Sequence, residues 1–269
     1  MKRRNFTIVA LFVVALSLSK VSCCGKVESE VKHPILSGHR GTAIIAPENT
    51  MASIDSSILY GVEYAECDVC VSADSVFYIL HDYSVDRTTN GTGRINDLHS
   101  SYIDTLDAGT WFGEEFAGLR VPRLQEVLRR AKEGGLKLTL DYRNGDLQAL
   151  YDLLKSEGML ENCNFVMREE PYFAFRQIAP EVKTMQAYIN GNSSLEADIA
   201  KWRPNVAVVR MDSITKSMVE RLHAEDIQVL ALSLKGNDPD TLGYAKAIEL
   251  GIDIIATDRA DYYAKKYKR

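Results

Sequence analysis

Short runs of apolar and β-branched residues alternate along the chain with longer stretches in which apolar residues return every three or four positions. The runs fall at 34–38, 64–71, 137–141, 164–167, 183–187, 206–210, 228–232 and 254–257, and each has the length of a buried strand. Between them, Leu124, Val127, Leu128 and Ala131, or Leu147, Leu150, Tyr151 and Leu154, or Met218, Val219 and Leu222, line one face of a helix. Asp146 stands at an expected N-cap, and Gly61, Gly158 and Gly251 stand just past three expected helix ends. Eight strands alternating with helices predict an α/β protein, a (β/α)8 TIM barrel, with a doubly wound open sheet as the alternative. One connection breaks the rhythm. The 42 residues at 82–123 far exceed the usual βα loop of about 2–6 residues, and Asn90-Gly91-Thr92-Gly93 followed by Trp111-Phe112 predicts a packed insertion.

The beginning of the chain follows a different pattern. Lys2, Arg3 and Arg4 precede an apolar run from Ile8 to Leu18, the order of a secretory signal peptide. Eleven residues are too few to cross ~30 Å of hydrocarbon as a helix. This assigns 1–22 to a signal peptide, 23–33 to a tether and 34–269 to the folded domain, with a buried N-terminal helix as the alternative. Val21-Ser22-Cys23-Cys24 resembles a bacterial lipobox, so the exported chain is expected in the periplasm, on the cell envelope through a lipidated Cys24 or Cys23, or secreted.

Composition narrows the function. With 32 Lys+Arg against 37 Asp+Glu and a formal net charge of −5, the chain lacks the basic surface that a phosphate backbone requires, and nucleic acid is not an expected partner. A domain of this length buries enough surface to need no disulfide or structural metal. Cys67 and Cys70 have the spacing of a redox or zinc motif, but on a strand they point to opposite faces, and both are read as small buried hydrophobes.

The polar residues that remain gather where strands end, which in such a barrel is the catalytic mouth. His39 and Arg40 follow the first strand, Glu66 and Asp68 share one face of the second, and His81 and Asp82 lie after it. Asp141 and Arg143 close the next barrel strand. Two carboxylates facing a barrel interior need positive charge, which either Arg40 and Arg143 or a divalent cation supplies, with Asp141 as a third ligand in the latter case. All-oxygen ligands favour Mg²⁺ or Ca²⁺. Each histidine alone reads as an ordinary hydrogen-bonded side chain; together, beside an arginine suited to phosphate oxygens, they read as an acid–base pair for displacement at phosphorus. His33, His99 and His223 lack such company and are expected at the surface.

These residues carry a resemblance. His39-Arg40-Gly41, Pro47-Glu48-Asn49-Thr50, Glu66-Cys67-Asp68-Val69 and His81-Asp82 appear in this order, followed by Asp86-Arg87-Thr88-Thr89-Asn90-Gly91-Thr92-Gly93, Leu106-Asp107-Ala108-Gly109 and Pro122-Arg123-Leu124. The set resembles the glycerophosphodiester phosphodiesterase family, and Gly251-Ile252-Asp253 with Thr257-Asp258 resembles its last strand. The resemblance implies metal-dependent cleavage of a small glycerophosphodiester to glycerol 3-phosphate and an alcohol. It marks His39 and His81 as catalytic, Arg40 as a phosphate binder, Glu66 and Asp68 as metal ligands, and Glu48 and Asn49 as shaping the site. It also implies a small subdomain after His81.

Two departures stand out. Asp141-Tyr142-Arg143 occupies the place of the family's Glu-x-Lys, and Leu230-Ala231-Leu232-Ser233-Leu234-Lys235 replaces a Trp-Thr-x-Asn run, leaving Lys235 either a substitute substrate contact or a solvated lysine. They leave room for a barrel phosphodiesterase acting on intact phospholipid or sphingolipid, or for a silent anion-binding protein.

Overall fold

A strand covered on both faces has no use for polar positions, and Val206-Ala207-Val208-Val209 shows the result: four consecutive buried residues. The computed structural model describes residues 32–189, 194–233 and 243–266. Its strands are β1 (Ile35–Gly38), β2 (Tyr64–Val71), β3 (Phe77–Ile79), β4 (Lys137–Tyr142), β5 (Cys163–Val166), β6 (Met185–Tyr188), β7 (Val206–Arg210), β8 (Gln228–Ser233) and β9 (Ile254–Thr257). Neighbours run β1-β9-β8-β7-β6-β5-β4-β2, all parallel, and β2 pairs with β1, which closes an eight-stranded TIM barrel. The open-sheet alternative is thereby excluded.

The helices α1 (Met51–Leu59), α3 (Leu124–Gly134), α4 (Leu147–Ser156), α5 (Glu169–Ile178), α6 (Leu195–Trp202), α7 (Lys216–His223), α8 (Tyr244–Leu250) and α9 (Ala260–Lys266) surround it; α2 (Ser100–Ile103) lies in the insertion. Amphipathic spacing decides which face each turns inward. Leu124, Val127, Leu128 and Ala131 of α3 are fully buried against Leu138 and Leu140 of β4, each Leu contributing about 1.5–3 kcal/mol of transfer free energy. The Asp146 carboxylate accepts from Ala149 N at 2.8 Å and caps α4, a contact worth about 1 kcal/mol.

Strand alternation divides the barrel interior into two walls. Val206, Val208, Leu230, Ile254 and Ala256 of β7 to β9 pack as an apolar cluster. Same-side positions of β2, β4, β5 and β6 are largely polar: Glu66 registers with Thr139 and Thr139 with Asn164, while Asp68 registers with Asp141, Asp141 with Val166 and Val166 with Gln186. The carboxylates of Glu66, Asp68 and Asp141 thus lie on the polar side.

The expected strands are present; 64–71, 206–210 and 254–257 keep their ends, and the others shift by one or two residues. β3 was not expected as a strand. It runs antiparallel to β2, pairing Val69 with Ile79 and Val71 with Phe77, so the chain doubles back beside its neighbour. Cys70 enters a separate cluster with Tyr78, Leu80, Val85, Ile95, Ile103 and Val121, the core of the insertion, whereas Cys67 lies in the main core. Cys67, Cys70 and Cys163 are all buried free thiols. Residues 1–31, which hold the expected signal peptide, Cys23 and Cys24, lie outside the described residues, as does Lys235.

Candidate active site

His39 and Arg40 leave β1 in a turn that few sequences can follow. Arg40 adopts φ +51°, and Gly41 follows at φ +81°, where a Cβ would collide with Ser53 of α1. Asn49 also has φ +51°. These strained positions are held by bonds to β9 and β2 and across the turn itself: His39 N donates to Thr257 O (3.0 Å), Gly41 N to Glu66 O (3.0 Å) and Asn49 N to Arg40 O (3.1 Å). The turn also aims the Arg40 amide at Glu66 Oε2, 2.8 Å away.

Glu66, Asp68 and Asp141 each offer an oxygen, and the three oxygens lie within 4.8 Å of one another. Asp68 is only 1% exposed and is the most heavily held of the trio. It accepts from Asn49 Nδ2 at 2.8 Å and from the Arg143 guanidinium, while Asn49 Oδ1 accepts from Asp68 N at 3.1 Å. Arg143 also lies 3.3 Å from Asp141, and Arg40 Nε lies 3.8 Å from Asp68. Both arginines therefore share the cluster, as the ion-pair reading expected, but they do not neutralise it. Arg40 spends its Nη1 on Glu48 at 2.9 Å. Among the described residues around the mouth, the six carboxylates of Glu48, Glu66, Asp68, Asp82, Asp141 and Asp258 meet the guanidinium groups of Arg40, Arg87 and Arg143, with Arg168 also acting on Asp141.

The titration of Glu66 and Asp141 reflects that imbalance. Burial, reinforced by the charge of Asp68, pushes Glu66 up to about 8. Burial also lifts Asp141 to about 6, against the pull of Arg143. Three converging carboxylates with surplus negative charge and oxygen ligands only fit a divalent cation. Among the described residues, the buried Nε–H groups of Arg40 and Arg143 have no hydrogen-bond partner.

The two histidines are oriented in the same manner. His39 Nδ1 lies 2.7 Å from Asp258 Oδ1, leaving Nε2 on the side of Glu66, 4.0 Å from Oε2. Burial works to lower the His39 pKa, but the hydrogen bond to Asp258 and the charges of Glu66 and Asp258 raise it on balance. His81 Nδ1 lies 2.6 Å from Asp82 Oδ1. His81 does not end a barrel strand: it follows the antiparallel β3, and the bond from Leu80 N to Asp68 O (2.9 Å) brings it back level with the acid cluster. His33, His99 and His223 are exposed.

The structure thus brings His39, Arg40, Glu48, Asn49, Glu66, Asp68, Asp141 and Arg143 into one connected group, with His81 joined through Asp82 and Arg87. Asp258, Asp82 and Arg87 had no assigned role in the sequence reading. Asp258 was open to inference, because closing β9 against β1 makes the residue after one strand a neighbour of the residue after the other. Tyr188, the last residue of β6, stays 40% exposed on the strand next to β5.

A pH dependence follows directly. Glu66 and Asp141 hold protons more tightly when folded than when unfolded, where carboxylates titrate near ~4. Without a cation, stability is full below pH ~4 for these groups and is lost as pH rises toward 8, with a slope of up to ~1.4 kcal/mol per pH unit for each proton of difference. Urea midpoints in chelator should fall from pH 5 to 8, and Mg²⁺ or Ca²⁺ at pH 8 should restore them. A flat profile would contradict this assignment.

Fold and site together define a barrel hydrolase that gathers acids, arginines and two histidines at one mouth. The glycerophosphoryl diester phosphodiesterase family profile matches residues 39–152. A crystal structure of glycerophosphodiester phosphodiesterase from Agrobacterium tumefaciens str. C58 is similar, with a TM-score of 0.76 and 30% identity over 86% of this chain and 99% of that one. A glycerophosphodiester phosphodiesterase of Bacillus subtilis (strain 168) is 36% identical over 141 residues, 47% of this chain and 48% of that protein. An Oleispira antarctica phosphodiesterase, solved with the product sn-glycerol-3-phosphate, shares the fold at a TM-score of 0.79 and 23% identity over 88% of this chain and 98% of that one. The chain belongs to the glycerophosphodiester phosphodiesterase family, and it is an enzyme of that class.

Proposed function

We propose that the chain cleaves small glycerophosphodiesters to glycerol 3-phosphate and an alcohol, with His39 and His81 as the acid–base pair and a divalent cation held by Glu66, Asp68 and Asp141. The observation that carries this reading is the convergence of three carboxylates with two histidines whose Nδ1 atoms are each tied to an aspartate. With Nδ1 as donor, Nε2 of each ring is the nitrogen that exchanges a proton with substrate. The guanidinium groups of Arg40 and Arg143 receive phosphate oxygens. A bound cation supplies neutralisation of the negative charge that builds up at phosphorus.

The glycerol hydroxyl adjacent to the ester is already placed for attack, which explains selection of a glycerol moiety. One histidine takes its proton as the new P–O bond forms, and the other protonates the departing alkoxide as the old P–O bond breaks. Water then opens the cyclic phosphate with the roles reversed. ³¹P NMR of the products from glycerophosphoethanolamine tests the scheme. Glycerol 3-phosphate is expected; phosphoethanolamine and glycerol as the products would contradict it.

The N-terminal pattern of Lys2, Arg3 and Arg4 before an apolar run supports action outside the cytoplasm. The mass of the mature protein tests this, and a product that still begins at Met1 would refute it.

A further inference from the structure

We infer that Arg87 is a positioning residue that locks the acid–base half of the site to its phosphate-binding half. The inference rests on the proposed roles of His81 and Arg40 and adds to them the link between the two. Arg87 belongs to the insertion, yet its guanidinium reaches two carboxylates of the mouth. Nε donates to Asp82 Oδ2 at 2.6 Å and Nη2 to Asp82 Oδ1 at 3.2 Å. Nη1 and Nη2 also donate to Glu48 Oε2 and Oε1 at 3.0 and 2.7 Å.

Each carboxylate has a second, functional partner. Asp82 Oδ1 holds His81 Nδ1 at 2.6 Å, and Glu48 Oε1 holds Arg40 Nη1 at 2.9 Å. One planar fork thus joins a continuous chain from His81 through Asp82, Arg87 and Glu48 to Arg40. A guanidinium can do this because its donors lie in fixed directions in one plane; a lysine ammonium is a single point and cannot pair both carboxylates in the same way.

The base of Arg87 is itself fixed. Ser84 bridges Arg94 across the loop, Val85 N donates to Gly93 O (3.0 Å), and the Asp86 carboxylate accepts from Gly93 N (2.8 Å). The insertion is packed on its own apolar cluster, so it presents Arg87 from a rigid support. The electrostatics agree with the geometry: Arg87 is the leading cause holding Asp82 down at about 2, and with Arg40 it holds Glu48 below the usual range against the effect of burial.

The test compares Arg87→Met and Arg87→Lys in the wild-type and His81→Ala backgrounds, reading kcat and KM separately, and records the His81 ring ¹⁵N shifts. In the wild-type background, Arg87→Met should lower kcat by roughly 10–100-fold, the usual cost of losing an orienting partner, and raise KM through Arg40. Arg87→Lys should recover part of one effect but not both. In the His81→Ala background the kcat penalty should shrink to within about twofold while the KM penalty persists, because residues acting as a unit are not additive. The ¹⁵N shifts should move from the Nδ1–H tautomer toward averaged values.

An Arg87→Met kcat within about twofold of wild type would overturn the inference. So would an equal fold-loss with and without His81, or unchanged ¹⁵N shifts. Failure of the proposed function would look different: wild type would release no product, or His81→Ala would turn over normally. The ¹⁵N shifts would then decide the Arg87 link by themselves.

Discussion

Replacing His39 or His81 by alanine is expected to lower kcat for a glycerophosphodiester by about 10²–10⁴-fold, the range that a positioned acid or base contributes. Each histidine is expected to matter by itself. Cleavage of the diester and opening of the cyclic phosphate both require a proton to be taken on one side of phosphorus and given on the other, so removing either ring stalls both steps. The protein should stay folded, because His39 and His81 are half-buried rim residues outside the main apolar clusters. The two variants should differ in their supports: Asp258→Asn should affect the enzyme through His39, and Asp82→Asn through His81. Normal turnover in either alanine variant, measured with melting curves to verify folding, would refute the acid–base assignment.

The second large effect concerns the acid cluster. Glu66→Gln keeps the size of the side chain and removes one negative charge, so calorimetric affinity for Mg²⁺ or Ca²⁺ should drop by at least ~10-fold, and turnover with it. The same change should stabilise the cation-free protein at pH 8, because it deletes the carboxylate whose ionisation is most opposed by burial. These opposite signs distinguish a cation site from a set of structural ion pairs; in the latter case Glu66→Gln would leave cation affinity untouched. Asp141 refines the point. Asp141→Glu restores one methylene of reach and should keep or strengthen cation binding, whereas Asp141→Asn should weaken it. Unchanged affinity in Asp141→Asn would remove Asp141 from the ligand set.

Most of the barrel was legible in the sequence because parallel strands covered on both faces leave an unmistakable apolar run. Val206-Ala207-Val208-Val209 could hardly be anything else, and α3 declared its buried face through Leu124, Val127, Leu128 and Ala131. β3 was not legible. Its three residues are too few for a period, and its pairing with β2 depends on the turn at 72–76, where Ser75 takes φ +65° and Val76 N donates to Ser72 Oγ at 3.0 Å.

The site divides in the same way. Glu66 and Asp68 two apart on a strand, and Asp141 on the neighbouring one, are brought together by register alone. The partners of the histidines and arginines could not be read so directly. Asp258 reaches His39 across 219 positions of sequence because the barrel closes, and Arg87 reaches Glu48 across 39 because the insertion folds back over the mouth. Sequence spacing identifies groups on one strand or one helix; it does not reveal which loops meet above a closed sheet.

The most direct test of the whole account is release of glycerol 3-phosphate by the purified protein from a glycerophosphodiester, first with EDTA and then with Mg²⁺ or Ca²⁺ restored. No release in EDTA, recovery with one of the two cations and no recovery in Glu66→Gln are the expected results. Undiminished release in EDTA would contradict the account.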